Sequence, residues 1–164
     1  MAGIRVTVCL LAAVRADLGV ALAEAMAPFE MWSGFEWREI WDSWTIRGGS
    51  DGGGFSVLCG HENDPRLVHD WPRDDGELLP SVPGMCAGGP RGLLDSSTVR
   101  SAAGRDLLTL DGWWIEDGYP VHGACDSPQA CSHLADGQRY ASDAAGYLDA
   151  LAADAILVKL KCHG

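Results

Sequence analysis

Cysteine and histidine stand at close spacing in three places, Cys59-Gly-His61, Cys131-Ser-His133 with Cys125 shortly before it, and Cys162-His163. Zinc takes thiolate sulfur and imidazole nitrogen in a tetrahedral set, and ligands two residues apart on a turn can reach one ion. The expected nucleus is Cys125, Cys131 and His133, with His61 or His122 as the fourth ligand. None of these pairs has the C-x2-C spacing of a zinc knuckle. The competing account makes Cys59 and Cys162 small apolar residues that end strands, with the histidines solvated beside them. A cysteine nucleophile would need an imidazole against the thiolate and a third group to orient it. Cys162 and His163 do not meet that requirement, because adjacent residues of a strand point to opposite faces. Acidic pairs such as Glu36 with Glu39, or Glu116 with Asp117, would do acid and base work only in a cleft that raised one pKa.

Aromatic rings and glycines concentrate between Phe35 and Phe55. Trp37, Trp41 and Trp44 are spaced to share one face if the segment is helical. From Trp44 the pattern alternates through Ile46 and Arg47, and Gly48, Gly49, Gly52, Gly53 and Gly54 surround Ser50 and Asp51 before Phe55 and Val57 resume it. That reads as a hairpin with a wide glycine loop. Trp37, Trp41, Asp42, Trp44, Arg47, Gly48 and Gly49, joined by Trp113 and Trp114, form the candidate binding set. The plainer account buries the indoles, which carry the largest apolar area of any side chain. The glycine run suggests a phosphate cradle, yet no Lys or Ser/Thr follows it to hold a phosphate or a metal.

These groups need a scaffold, and 164 residues supply one domain able to bury a core without crosslinks. Twenty-three acids against 12 bases give a net charge of -11, spread along the chain. No basic cluster exists to grip a nucleic-acid backbone, so none is expected as partner. No apolar run approaches the roughly 18 to 20 residues of a membrane span. A reducing cytoplasm, with free or metal-bound thiols, is the expected compartment.

Ile4, Val6, Val8 and Leu10 alternate as a strand, and Asp17 is placed to cap a helix with Leu18, Ala21, Leu22, Ala25 and Met26 on one side. Residues 60–105 show no sustained period. Leu107 to Leu110, Asp111-Gly112 and Trp113 to Ile115 make the strongest hairpin signal in the chain. Residues 119–140 read as irregular, Ser142 as the cap of a second helix through Ala144, Tyr147, Leu148 and Leu151, and Ala155 to Cys162 as a last strand. The expected fold is α+β, a mainly antiparallel sheet with two helices on one side, of the ferredoxin-like or split-βαβ kind.

Several short phrases resemble a group of small proteins of unassigned activity from actinobacteria and their phages. Members carry a LAPY-like phrase, a D-W-W-x-I-G-G-R-W motif, a T-P-D-G-x-W turn and a closing D-C-H. Met26 to Phe29, Asp42-Ser43-Trp44-Thr45-Ile46-Arg47-Gly48-Gly49, Thr109 to Trp113 and Lys161-Cys162-His163 match these in turn. Ser43 and Ser50 replace tryptophans, Arg47 precedes the glycines instead of following them, and Lys161 replaces the acid. The resemblance implies an accessory phage or mobile-element protein. The first functional expectation is therefore a non-catalytic binding protein that meets a protein partner or small ligand through the tryptophan and glycine hairpin. The alternatives are a zinc-binding domain or metal-dependent hydrolase, and a minor virion component assembled as a symmetric oligomer.

Overall fold

The computed structural model describes residues 3–73, 75–78 and 80–164. Along the chain run β1 (Ile4–Leu10), α1 (Leu18–Met26), β2 (Ser43–Ile46), β3 (Phe55–Ser56), β4 (Met85–Cys86), β5 (Gly88–Pro90), α2 (Ser96–Ala102), β6 (Asp106–Leu108), β7 (Trp113–Glu116), β8 (Tyr119–His122), α3 (Leu134–Ser142), α4 (Ala144–Ala150) and β9 (Ile156–His163). The alternating segments near either end of the chain become the middle of a mixed, mostly antiparallel seven-stranded sheet, ordered β2-β9-β1-β6-β7-β8 with β5 as a second neighbour of β9. β1 runs antiparallel to β9 from Ile4 opposite Cys162 to Leu10 opposite Ile156, and parallel to β6. The far edge of β9 is shared, with β2 on its second half and β5 on its first. β3 and β4 form a separate two-stranded ribbon. No helix among the described residues is long and apolar enough to cross a membrane.

Strand alternation sends side chains to two cores. Val6, Val8, Val158 and Leu160 pack with Leu22, Met26 and Phe29 on one face. Cys9, Leu107 and Leu157 pack with Val99, Ala102, Leu148 and Leu151 on the other. Helices therefore cover both faces, not one side as expected, and four are present among the described residues. The parallel strands β1 and β6 are direct neighbours, so the unit between them is not a split βαβ of the ferredoxin-like kind.

The α+β class holds, as do β1, α1, the β6–β7 hairpin and β9. The tryptophan hairpin does not form: β2 pairs with β9 and β3 with β4, so the glycine loop joins two sheets. That loop wraps a carboxylate. Buried Asp70 accepts from the amides of Gly48, Gly49 and Ser50 at 3.1, 2.8 and 3.1 Å, and from the Ser50 hydroxyl. A Cβ added at Gly48 would stand 2.8 Å from Gly54 Cα, which explains the glycine there. Capping also differs: Asp17 makes no side-chain cap, and Asp143, not Ser142, caps α4 by accepting from the Gly146 amide.

Candidate metal centre

The second hairpin builds the site. Asp117 and Gly118, both at positive φ, close a two-residue turn between Glu116 and Tyr119, and the ladder then sets Trp113 opposite His122. The Trp113 indole stacks on the His122 ring at 4.3 Å and 7°. His122 Nε2 lies 3.1 Å from the Asp111 carbonyl, an acceptor. A carbonyl only accepts, so Nε2 donates, which leaves Nδ1 as the ring atom that faces the thiols and can ligate a metal.

Past His122 the chain is held by Arg38, whose Nη1 donates to the carbonyls of Gly123 and Cys125 at 2.5 and 3.0 Å. A turn follows, in which Ser127 Oγ accepts from the Ala130 amide and the Pro128 carbonyl accepts from the Cys131 amide. His133 then caps α3 with its backbone carbonyl, which accepts from the amides of Asp136 and Gly137. A strand end, a turn and a helix start thus deliver His122, Cys125, Cys131 and His133 to one point, with all four donor atoms within 4.8 Å of one another.

The separations carry chemical information. Cys125 Sγ lies 3.4 Å from His122 Nδ1 and 3.6 Å from His133 Nδ1, and Cys131 Sγ lies 3.4 and 3.9 Å from the same atoms. A tetrahedral zinc ion with ordinary Zn–S and Zn–N bonds separates sulfur from nitrogen by about 3.6 Å. Burial and the neighbouring Cys131 thiol push the Cys125 thiol up. A cation at the centre would reverse that preference, because a coordinated thiol is deprotonated.

Cys125, Cys131 and His133 are brought together as expected, and His122 completes the set in place of His61. His61 is exposed on a turn whose amide donates to the Leu58 carbonyl. The signal for His122 was its H-x2-C-x5-C-x-H spacing, legible only once β8 is known to end there. The other thiols stand apart from the cluster. Burial pushes Cys86 up to about 11 and Cys162 up to about 12, consistent with inert apolar roles, while Cys59 is exposed on a turn and ends no strand.

The candidate binding residues mostly serve the interior. Trp113 and Trp114 are 1% and 0% exposed. Trp41 is buried, and its Nε1 donates to the Met26 carbonyl. Trp44 packs on Trp71 at 5.4 Å, Asp42 pairs with His163 at 2.8 Å, and Arg47 donates to the Ile46 and Trp71 carbonyls. Gly48 and Gly49 are closed around Asp70. These residues are therefore spread over several surroundings and are not gathered on one face. Trp37 alone of the set is exposed, at 37%, and it lines a cavity of about 410 Å³ beside the cluster with Trp113, Tyr119, Pro128, Leu134 and Gln138. Tyr119, 74% exposed, lies outside the set, since residues 119–140 carry no period that marks β8.

α3 seats this arrangement through Gly137, where an added Cβ would lie 2.4 Å from the Trp113 ring. Gly137→Ala is expected to destabilise the protein by about 1–3 kcal/mol through overpacking, despite the better helix propensity of alanine. Thermal denaturation checks the sign. Searches of protein-family models, curated proteins and solved structures found no match to this chain.

Proposed function

We propose that the chain is a zinc-stabilised, non-catalytic binding domain in which His122, Cys125, Cys131 and His133 hold one zinc ion. The convergence of their four donor atoms at tetrahedral spacing carries this reading. Four protein ligands close the coordination sphere, whereas catalytic zinc keeps a position for water or substrate. A hydrolase is therefore disfavoured. The ion ties residues 123–133 to the end of β8 and the start of α3, and so shapes the cavity bordered by Trp37, Tyr119 and Leu134. Aromatic side chains with apolar bodies and polar tips are frequent anchors of contacts, which favours this face for a protein partner or small ligand. The resemblance to small actinobacterial and phage proteins favours an accessory role over a metabolic one.

Metal analysis of protein purified without added metal tests the reading. About one equivalent of zinc is expected, since closed sites hold the ion tightly. Less than about a tenth of an equivalent would remove it. Cobalt substitution adds an optical check, because an S2N2 tetrahedral site gives visible absorption that a merely adventitious surface ion does not share.

A further inference from the structure

Although acids outnumber bases 23 to 12, three bases, Arg5, Arg105 and Lys159, line one cavity of about 280 Å³ together with Gly52, Gly53 and Thr98. It belongs to the opposite face of the sheet from α1. Lys159 is 4% exposed, and its ammonium has no hydrogen-bond or ion-pair partner among the described residues. The Phe55 ring, 5.4 Å away, is what its Nζ lies over. Arg5 gives Nη2 to Asp51, while its Nη1 is buried without a partner. Thr7, opposite Lys159 in the β1–β9 ladder, likewise has a buried hydroxyl without a partner.

Three cations against one carboxylate leave the cavity with an excess of two positive charges. Burial, followed by repulsion from Arg5 and Arg105, pushes the Lys159 ammonium down to about 8. Such a gathering is unfavourable by itself and becomes favourable when an anion enters. We propose that the cavity binds a phosphate group, either as the free ion or as a small phosphomonoester. At neutral pH phosphate carries about -1.5 to -2 charges, which matches the excess, whereas a carboxylate would leave one cation unanswered. The guanidinium forks and the buried ammonium are the usual partners of phosphate oxygens. The volume lies near the roughly 300 Å³ lower end of small-molecule sites, so it suits a phosphate with a short tail. The net charge of the whole chain repels a long polyanion.

The site escapes a sequence search because its cations do not follow the glycines. They come from β1, β9 and the turn after α2. The loop is not an amide cradle either: the Gly53 amide donates to Asp51 and the Gly54 amide to the Gly48 carbonyl. Its glycines supply room, since a Cβ at Gly53 would lie 2.9 Å from Arg5 Cζ. The Thr98 and Ser101 hydroxyls already donate to the Asp95 and Ser97 carbonyls, so recognition rests on the cations. None of this depends on the zinc reading.

The test is titration calorimetry and thermal denaturation of the full chain in phosphate-free buffer, with inorganic phosphate and glycerol 3-phosphate as probes and sodium chloride holding the ionic strength. Both probes are expected to bind at one site and raise the melting temperature. Lys159→Met and Arg105→Ala should each weaken binding at least about tenfold, the scale of one lost charge-assisted hydrogen bond. Tighter binding of glycerol 3-phosphate would assign the site to a phosphomonoester, and equal binding to the free ion. Without ligand, Lys159→Met should melt above the wild type below pH 8. That advantage should shrink as pH rises toward 10.5, where the lysine of the unfolded chain also loses its charge. A melting temperature no higher in phosphate than in matched chloride, or unchanged affinity in both variants, would overturn the proposal.

Discussion

Cys131→Ser is expected to lower the stability of the protein by about 3 kcal/mol or more, and its melting temperature by roughly 6–12 °C. On the zinc proposal, serine keeps the shape but is a poor ligand, so the free energy of metal binding, which for a closed site is folding free energy, would be largely lost. Treating the wild type with a strong chelator should bring its melting curve to that of the variant. The two routes should not add, because both remove the same ion. Cys59→Ser and His61→Ala are the controls. Both residues are exposed and lie outside the cluster, so changes within about 0.5 kcal/mol are expected. Acid should act in the same direction as the chelator, since protons compete with the metal for imidazole and thiolate. A wild type indifferent to chelation, with Cys131→Ser equally stable, would show that the four side chains meet without binding an ion.

Asp70→Ala should be comparably damaging for a different reason. The carboxylate accepts three backbone amides and one hydroxyl from Gly48, Gly49 and Ser50, and buried donors that lose their acceptor cost about 1–3 kcal/mol each. Some of these groups will find water once the loop opens, so a total of about 3–5 kcal/mol is expected. Asp70→Asn retains one acceptor oxygen and should lose about half as much. Urea denaturation distinguishes the outcomes: the midpoint should fall while the slope stays constant, as for a change in native stability alone. A midpoint within error of the wild type would mean that the glycine loop holds its shape without the carboxylate.

The parts of the fold legible in the sequence are those with sustained period. β1 and β9 alternate over seven and eight residues, α1 carries its stripe, and Asp111-Gly112 marks the β6–β7 hairpin. β5 had no such signal, being Gly88-Gly89-Pro90. Its pairing depends on how closely the backbone approaches β9, where a Cβ at Gly88 would lie 2.1 Å from the Leu157 carbonyl oxygen. The tryptophan spacing would share one face only on a helix, and tertiary pairing decides against one. Trp37 sits in a single 3-10 turn, Glu36–Arg38, and beyond it the Trp41 amide donates to the Phe29 carbonyl and the Trp41 carbonyl accepts from Met31, which holds Trp41 extended and sends Trp37, Trp41 and Trp44 to three surroundings. Three of the four cluster residues were readable from composition and spacing. The choice of His122 over His61 was not, because only the register of β7 and β8 decides which imidazole reaches the thiols.

The division of β9 between two partners on its outer edge has a consequence for biosynthesis. β9 follows β1, β2 and β5 along the chain, yet it adjoins all three. At ordinary translation speeds β1 leaves the ribosome on the order of ten seconds before the strand that will cover its edge. Through that interval the flank of β1 that β9 will cover stays unpaired, a hydrophobic edge open to mispairing until synthesis reaches β9.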